Sequence, residues 1–443
     1  MKYIVNIIRI LVGALFIFSG FVKAIDPLGT SYKMHEYFEA FAPLGLNAFW
    51  EWMNSVSTPF AVFMIVIEMA AGLALLTGWR PKFTVWILFL MTLFFTLLTG
   101  FTYLSGFCPS TPFALHAVAL IVLLMVSAAK FNSPKGKRIF WITVILTLSF
   151  LAMLKTPGYF HCEFTETKMK VTDCGCFGDF IKLKPWETFY KDIVLDILIF
   201  ILVIGVRHIK PLVKPGVNNL IVGGGTLASL LFCFSNYIWG LPVVDFRPYK
   251  PGNNIRELRQ MLKPEVRKMV FIYKNKKTNE TKNFTTEELE NLDDDWDFVD
   301  RMDTIVDPGI PAKINNLYIS DEDGNDITDT LLADANYSFM VVIYKMSATD
   351  KDAITEKLNP LAEQCEKAGI KFYAVCGGDI KVDDFRHELN TLYPFYTADE
   401  TALKTIIRAN PGLVLLKDGV VIDMWHHKHL PTFEEVNQKY FKK

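Results

Sequence analysis

Seven apolar segments, each close to the ~20 residues a helix needs to cross a bilayer, constrain this chain more than any other feature. They lie at roughly 4–23, 59–78, 83–105, 112–129, 138–156, 188–207 and 217–240. A backbone in hydrocarbon must satisfy its own hydrogen bonds, so segments of this length are expected as helices. The 443 residues are 51% hydrophobic, with a mean hydropathy of +0.24. That excess stops near residue 240, and dense charge begins beyond 243. The expected architecture is a polytopic helical membrane domain over 1–240, a small connecting α+β segment over 241–304, and a separate domain over 305–443. A net charge of -1 gives no reason to expect a nucleic-acid partner. The first segment follows Lys2 as a signal peptide would, but FSGFVKAIDP offers no small-x-small cleavage site and reads as an uncleaved helix.

Lysine and arginine in short connections orient a membrane domain, because they favour the cytoplasmic side. With the N-terminus inside, the inner face collects Lys2, Arg9, Arg80, Lys82, Lys130, Lys135, Lys137, Arg138, Arg207, Lys210 and Lys214. The outer face has Lys33 and one long loop with Lys168, Lys170, Lys182 and Lys184, while Lys23 and Lys155 stand at helix ends. An odd number of spans then places 241–443 outside the cytoplasm. The expected location is a bacterial inner membrane with a periplasmic C-terminal domain.

That orientation sorts the cysteines. Cys108, Cys162, and Cys174 with Cys176 in VTDCGCFGDF reach the outer side, whereas Cys233 lies within the last span. Oxidising compartments permit disulfides. A Cys-x-Cys disulfide closes a very small ring that cannot relax to preferred geometry, and strained bonds are the reducible ones. Gly175 between the two thiols tolerates unusual backbone angles. Three chemistries stay open: thiol exchange with Cys108 and Cys162 as a second pair, a structural disulfide network, or a metal site drawing on His161. The spacing is not the usual one for zinc, although thiolates suit a soft ion such as copper(I). We assign no metal.

The first span, with Arg9, Gly13, Phe18, Ser19, Gly20, Lys23 and Asp26-Pro27, resembles the opening signature of DoxX-type membrane proteins. IEMAAGLALLTGWR at 67–80 resembles that family's glutamate and glycine pattern, and DCGCFG at 173–178 resembles its MauE branch. The resemblance covers about residues 1–207. It implies a four-helix core and an association with disulfide formation in periplasmic proteins. A relay from a client thiol through the outward cysteines would follow, with a membrane quinone as a conceivable final acceptor. No quinone-binding motif is visible in the sequence.

Glu68 sits near the middle of the second span, where an ionised side chain is expensive and suggests function by default. Arg9 in the first span and His116 in the fourth are its candidate partners. Asp192 and Asp196 share a face of the sixth span by their i, i+4 spacing. A register-fixing ion pair and a proton-handling site look alike in sequence.

Beyond the spans, VFIYKNKKTNETKNFT reads as a hairpin, Thr285-x-x-Glu288 as a capping box, and the acidic run after it as a solvated surface. NLYISDEDGNDITDTLL reads as two short strands about a DG turn. From 336 onward strands alternate with helices and end in a hairpin, which indicates a mixed α/β sheet with helical cover. Residues 305–440 resemble the thioredoxin superfamily, with Asn410-Pro411 at its cis-proline loop. Where that family carries Cys-x-x-Cys, this chain reads YKMSATDKD at 344–352, so disulfide exchange is not expected there. Cys365 and Cys376 read as buried thiols, and WHHKHLP as a hairpin exit rather than a metal site.

The leading expectation is a membrane thiol/disulfide redox protein with Cys174, Cys176, Cys108 and Cys162 as its reactive set. Its inactive thioredoxin-like domain would hold an extracytoplasmic client at Asn410 and Pro411, by strand addition. The rival is a non-enzymatic membrane scaffold or assembly factor whose disulfides are structural. A transporter using Glu68 is a third reading, lacking the repeats and broken helices of that class.

Overall fold

The computed structural model describes residues 2–42, 45–106, 133–155, 177–181, 183–261, 266–278, 280–289, 295–307 and 312–442. Met169, Val171, Gly175, Lys263, residues 292–293 and residues 309–310 are described as short pieces, and the backbone alone for 104, 147–155, 266–268 and 303–306. The chain divides into two compact units, Met1–Val244 and Asp245–Lys443.

In the first unit the described helices are α1 (Lys2–Ile25), α2 (Pro27–Phe41), α3 (Asn47–Ser55), α4 (Ser57–Thr77), α5 (Pro81–Ser105), α6 (Pro134–Lys155), α7 (Pro185–Ile204) and α8 (Pro215–Ser235). Six of them coincide with apolar segments, α2 and α3 fall between the first two segments, and the segment at 112–129 lies outside the described residues. Among the described residues four helices are long and apolar enough to cross a membrane: α1, α4, α5 and α8. α7 is of similar length but carries Glu187, Lys191, Asp192 and Asp196.

α1, α4, α5 and α7 close into a four-membered ring, each packed against the next, while α8 lies along α4. Val12, Phe16, Leu75, Leu88, Leu93, Ile199 and Leu202 interdigitate at its centre. Small residues set the spacing of the antiparallel α1/α4 pair. A Cβ on Gly72 would come within 2.9 Å of the Gly13 carbonyl oxygen, and one on Gly13 within 3.1 Å of the Gly72 carbonyl oxygen. α4 ends at Gly78 in the left-handed conformation, with Trp79 N donating back to Ala74 O at 2.9 Å.

The second unit holds two sheets. β1 (Val266–Asn275) pairs antiparallel with β2 (Thr281–Thr285) and with β3 (Trp296–Asp307). The hairpin is as the alternation predicts. The acidic residues stay at the surface, Asp293, Asp297 and Asp300 being exposed, but the run continues into a strand that the reading did not include: β3, whose aromatic residues Trp296 and Phe298 pack on Phe284 and Tyr273.

The larger sheet has six strands in the order β4-β7-β6-β5-β8-β9. These are β4 (Ile319–Ser320), β5 (Tyr337–Ile343), β6 (Lys371–Cys376), β7 (Phe395–Ala398), β8 (Gly412–Lys417) and β9 (Val420–His426). β5, β6 and β7 run parallel, and β8 and β9 form an antiparallel hairpin on the other side of β5. Helical segments at Lys351–Lys367, Val382–Leu389 and Glu400–Ile406 supply the connections, as the alternating pattern requires. The second strand expected after the DG turn is replaced by a single bridge, Ser320 to Asp326, and a helix at Thr328–Leu332. The Asp326 carboxylate takes the Thr328 N–H at 2.9 Å, a local turn that leads into this helix where alternation suggested a strand.

Candidate functional site

Glu68 and Lys23 meet inside the four-helix ring. Both are almost wholly buried, at 3% and 5% exposure. Lys23 Nζ donates to Glu68 Oε2 at 2.8 Å and Oε1 at 3.0 Å, and to Ser19 Oγ at 3.2 Å, and lies 4.7 Å from the centre of the Phe95 ring. An isolated charge here would be prohibitive, so the pair exists only because both members and their hydrogen bonds are present.

The partnership expected between Glu68 and Arg9 is not the one formed. α1 and α4 run antiparallel, which places the end of α1 beside Glu68. Arg9 is ~21 Å further down α1 at 1.5 Å per residue. Its guanidinium instead donates to Leu75 O at 2.8 Å, Leu76 O at 2.5 Å and Lys210 O at 3.0 Å. It therefore caps the open carbonyls at the C-terminus of α4, where a cation is favoured.

A second charged pair approaches from α7. Asp192, 3% exposed, accepts from Lys191 Nζ at 2.9 Å and from Thr99 Oγ1 at 3.0 Å. One turn on, Asp196 accepts from Thr96 Oγ1 at 2.7 Å, and its other oxygen has no hydrogen-bond partner among the described residues. Two small cavities adjoin the Lys23–Glu68 pair. One of about 20 Å³ is lined by Lys23, Glu68, Thr30, Lys33, Phe95 and Gly175, among others. The other, about 30 Å³, is lined by Ser19, Lys23, Glu68, Thr92, Lys191 and Asp192 with apolar neighbours. Such volumes suit a water or two.

The loop that carries the paired cysteines reaches this cluster through its described residues. Gly175 takes a φ of +62°, and a Cβ there would come within 3.1 Å of Lys33 Cγ. The left-handed backbone favours glycine here, and the absence of a Cβ lets the loop lie directly on the Lys33 side chain of α2. Val171 is buried among Tyr37, Phe38 and Leu98, and Phe177 packs on Phe18 with Lys191 Nζ 5.1 Å from its ring centre. Cys108, Cys162, Cys174, Cys176 and His116 lie outside the described residues.

Sequence reasoning picked out Glu68, Asp192 and Asp196 but missed Lys23 as a partner, treating it as a helix-end residue. The signal was available, since Lys23 is the single cation near the C-terminal end of an otherwise apolar segment. Thr92, Thr96 and Thr99, a polar stripe at helical spacing in α5, were equally legible.

In the second unit the turn Met346–Ala348 follows β5, the position compared above with Cys-x-x-Cys. Its amides are already occupied: Met346 N and Ser347 N donate to the Asp379 carboxylate at 2.8 and 2.9 Å. Burial pushes the Asp379 carboxyl upward, but these donors outweigh it and hold it below its ordinary value. The Asn410–Pro411 bond is cis. Both residues are buried, Asn410 Nδ2 donates to Lys345 O at 2.7 Å, and Asn410 O accepts from Asp350 N at 3.1 Å. At this loop the Asn410 carbonyl and the Lys345 carbonyl are therefore already engaged within the chain itself. Cys365 and Cys376 are free and buried, and burial pushes each thiol up to about 12. Among the described residues no cluster of His, Cys, Asp or Glu is arranged to hold a metal ion.

Apolar helices of spanning length and a separate sheet-rich unit define a membrane protein with an attached second domain. Residues 1–110 match the family described as methylamine utilisation protein MauE. That stretch contains α1 through α5, with Lys23, Glu68 and the threonine stripe, and stops short of the Cys-Gly-Cys loop. No curated protein and no solved structure matches the chain.

Proposed function

We propose that this chain is a membrane-bound thiol/disulfide protein that supports oxidation or maturation of extracytoplasmic clients, with Cys174 and Cys176 as the exchanging pair. The observation that carries the reading is the seat of Gly175. The residue between the two thiols holds a left-handed conformation against Lys33 and lines a cavity shared with Lys23 and Glu68. A client thiolate attacks one loop sulfur to give a mixed disulfide, and the second client thiol displaces it. The client leaves as a disulfide and the loop as a dithiol, so the client's two electrons and two protons are accounted for within the exchange.

The resemblance to DoxX and MauE proteins supports the placement in an inner membrane, with the cysteine loop and residues 245–443 on the outer side. The parallel β5-β6-β7 order with a β8-β9 hairpin supports a thioredoxin-like reading of the second unit. That unit has no thiol at the position following β5, and so serves to recruit or position clients rather than to exchange with them.

Thiol mass-labelling in isolated membranes tests the proposal. Cys174 and Cys176 should change labelling state when reductant or a dithiol substrate is added, and one fixed disulfide under all conditions would end the redox reading. The rival, a scaffold with structural disulfides, draws on the self-occupied turn at Met346–Ser347. Cys176→Ser with full activity and only reduced thermal stability would establish that rival.

A further inference from the structure

Two oppositely charged pairs face one water-sized cavity in the helical ring. Lys23 and Glu68 enter from α1 and α4, and Lys191 and Asp192 from α7, with Ser19 and Thr92 between them in the lining. If a fixed helix register were all that was needed, one pair filled to van der Waals contact would serve. Here about 30 Å³ remains open, bordered by two carboxyls, two ammonium groups and two hydroxyls. That volume takes a water, and the polar lining gives it the two to four partners that ordered water requires. A second opening of about 20 Å³ continues past the same ion pair to Lys33 and Gly175. In the other direction the Thr99–Asp192 and Thr96–Asp196 hydrogen bonds extend the polar line one turn along α7.

We propose that this cluster is a proton-exchange site, in which a water in the shared cavity links Glu68 and Asp192 and a proton passes between the two carboxyls. Lys23 and Lys191 each pair with one carboxylate when the site is empty of the proton, so a proton on either carboxyl leaves one ammonium in excess and is readily passed on. Ser19 and the Thr99 hydroxyl fix the geometry, since each already contacts one member of a pair. For the function this rests on the thiol reading above: the attacking client thiol gives its proton to this site, becoming a thiolate, and the departing thiolate takes it back. Nothing else is consumed. Glu68 and Asp192 become residues of the exchange site, while Thr99 and Ser19 are positioning residues.

The experiment uses the full chain in lipid nanodiscs, read by infrared difference spectroscopy in the carboxylic C=O region between acidic and alkaline buffer, in water and in D₂O. The wild type should show a reversible carboxyl band that shifts in D₂O. Glu68→Gln and Asp192→Asn should each remove one component and displace the midpoint of the other by about one pH unit, as expected for coupled sites. Thr99→Val, which keeps both carboxyls and the shape, should displace the Asp192 component most and move the coupled Glu68 component less. A wild-type spectrum with no titrating band, or two variants with the wild-type band unchanged, overturns the proposal. Exchange with a model dithiol is measured in parallel. Glu68→Gln should slow it at least 10-fold and flatten its pH profile. Cys174→Ser should abolish exchange and leave the band intact, which separates the two readings. Exchange that persists in Cys174→Ser sinks the thiol reading only, and a missing band sinks the proton site only. Should Glu68→Gln fail to fold, Asp192→Asn and Thr99→Val carry the same test.

Discussion

Breaking the Lys23–Glu68 pair is the sharpest test of the bundle. At 2.8 Å the direct attraction is about 6 kcal/mol for an effective dielectric near 20. Desolvation of both groups offsets most of that gain, so the pair as a whole contributes little net stability. Removing one member is different, because the remaining charge stays buried with its hydrogen-bond partners lost. Lys23→Met and Glu68→Leu should each destabilise the folded bundle by about 3–5 kcal/mol. The double variant should recover to within about 1 kcal/mol of wild type, since it leaves no charge behind. Reversible unfolding of the full chain in mixed micelles of rising denaturing-detergent fraction measures all four proteins. A loss under about 1 kcal/mol in Lys23→Met would refute the argument. So would a double variant that loses the sum of the two singles, because the residues would then act separately.

Three further outcomes are expected. Gly72→Val should cost about 1–3 kcal/mol by overpacking, since its Cβ would sit 2.9 Å from the Gly13 carbonyl oxygen, whereas Gly223→Ala, with nothing within 4 Å, should be near neutral in the same assay. Asp379→Asn should speed amide exchange at Met346 and Ser347 roughly 10-fold, by loss of ~1.4 kcal/mol of charge-assisted hydrogen bonding. Because that carboxyl is held below its ordinary value, its contribution is complete above the normal carboxylate range and fades as pH falls through the lowered value, so wild-type protection there should drop in acid. Cys365 and Cys376, with thiols pushed up to about 12, should resist maleimide at neutral pH in the folded chain and react fully once it is unfolded.

Much of this protein was legible as local pattern. Apolar length identified six helices in the first unit, and the alternation of strand and helix from 336 onward identified the order of β5 through β9, because hydrophobic period and element length are properties of neighbouring residues. Gly175 was legible for the same reason, its backbone freedom being set by the absence of its own Cβ. The failures share a different cause. β3 was hidden because its pairing with β1 rests on partners about thirty positions away, and an acidic surface read in isolation gives no sign of them. Arg9 was read as a partner for Glu68 and Lys23 was not, because only the antiparallel crossing of α1 and α4 fixes which end of α1 lies beside Glu68. The hydrogen bonds of Asn410 to Lys345 and Asp350 and the Asp379 carboxylate on the Met346 and Ser347 amides also appear only when distant segments meet. The chain sequence alone determined which residues could be helices, strands, turns or intramembrane charges. Only the tertiary structure decided which charges share a cavity, because that depends on register between helices, and register is set by side-chain packing along the whole interface.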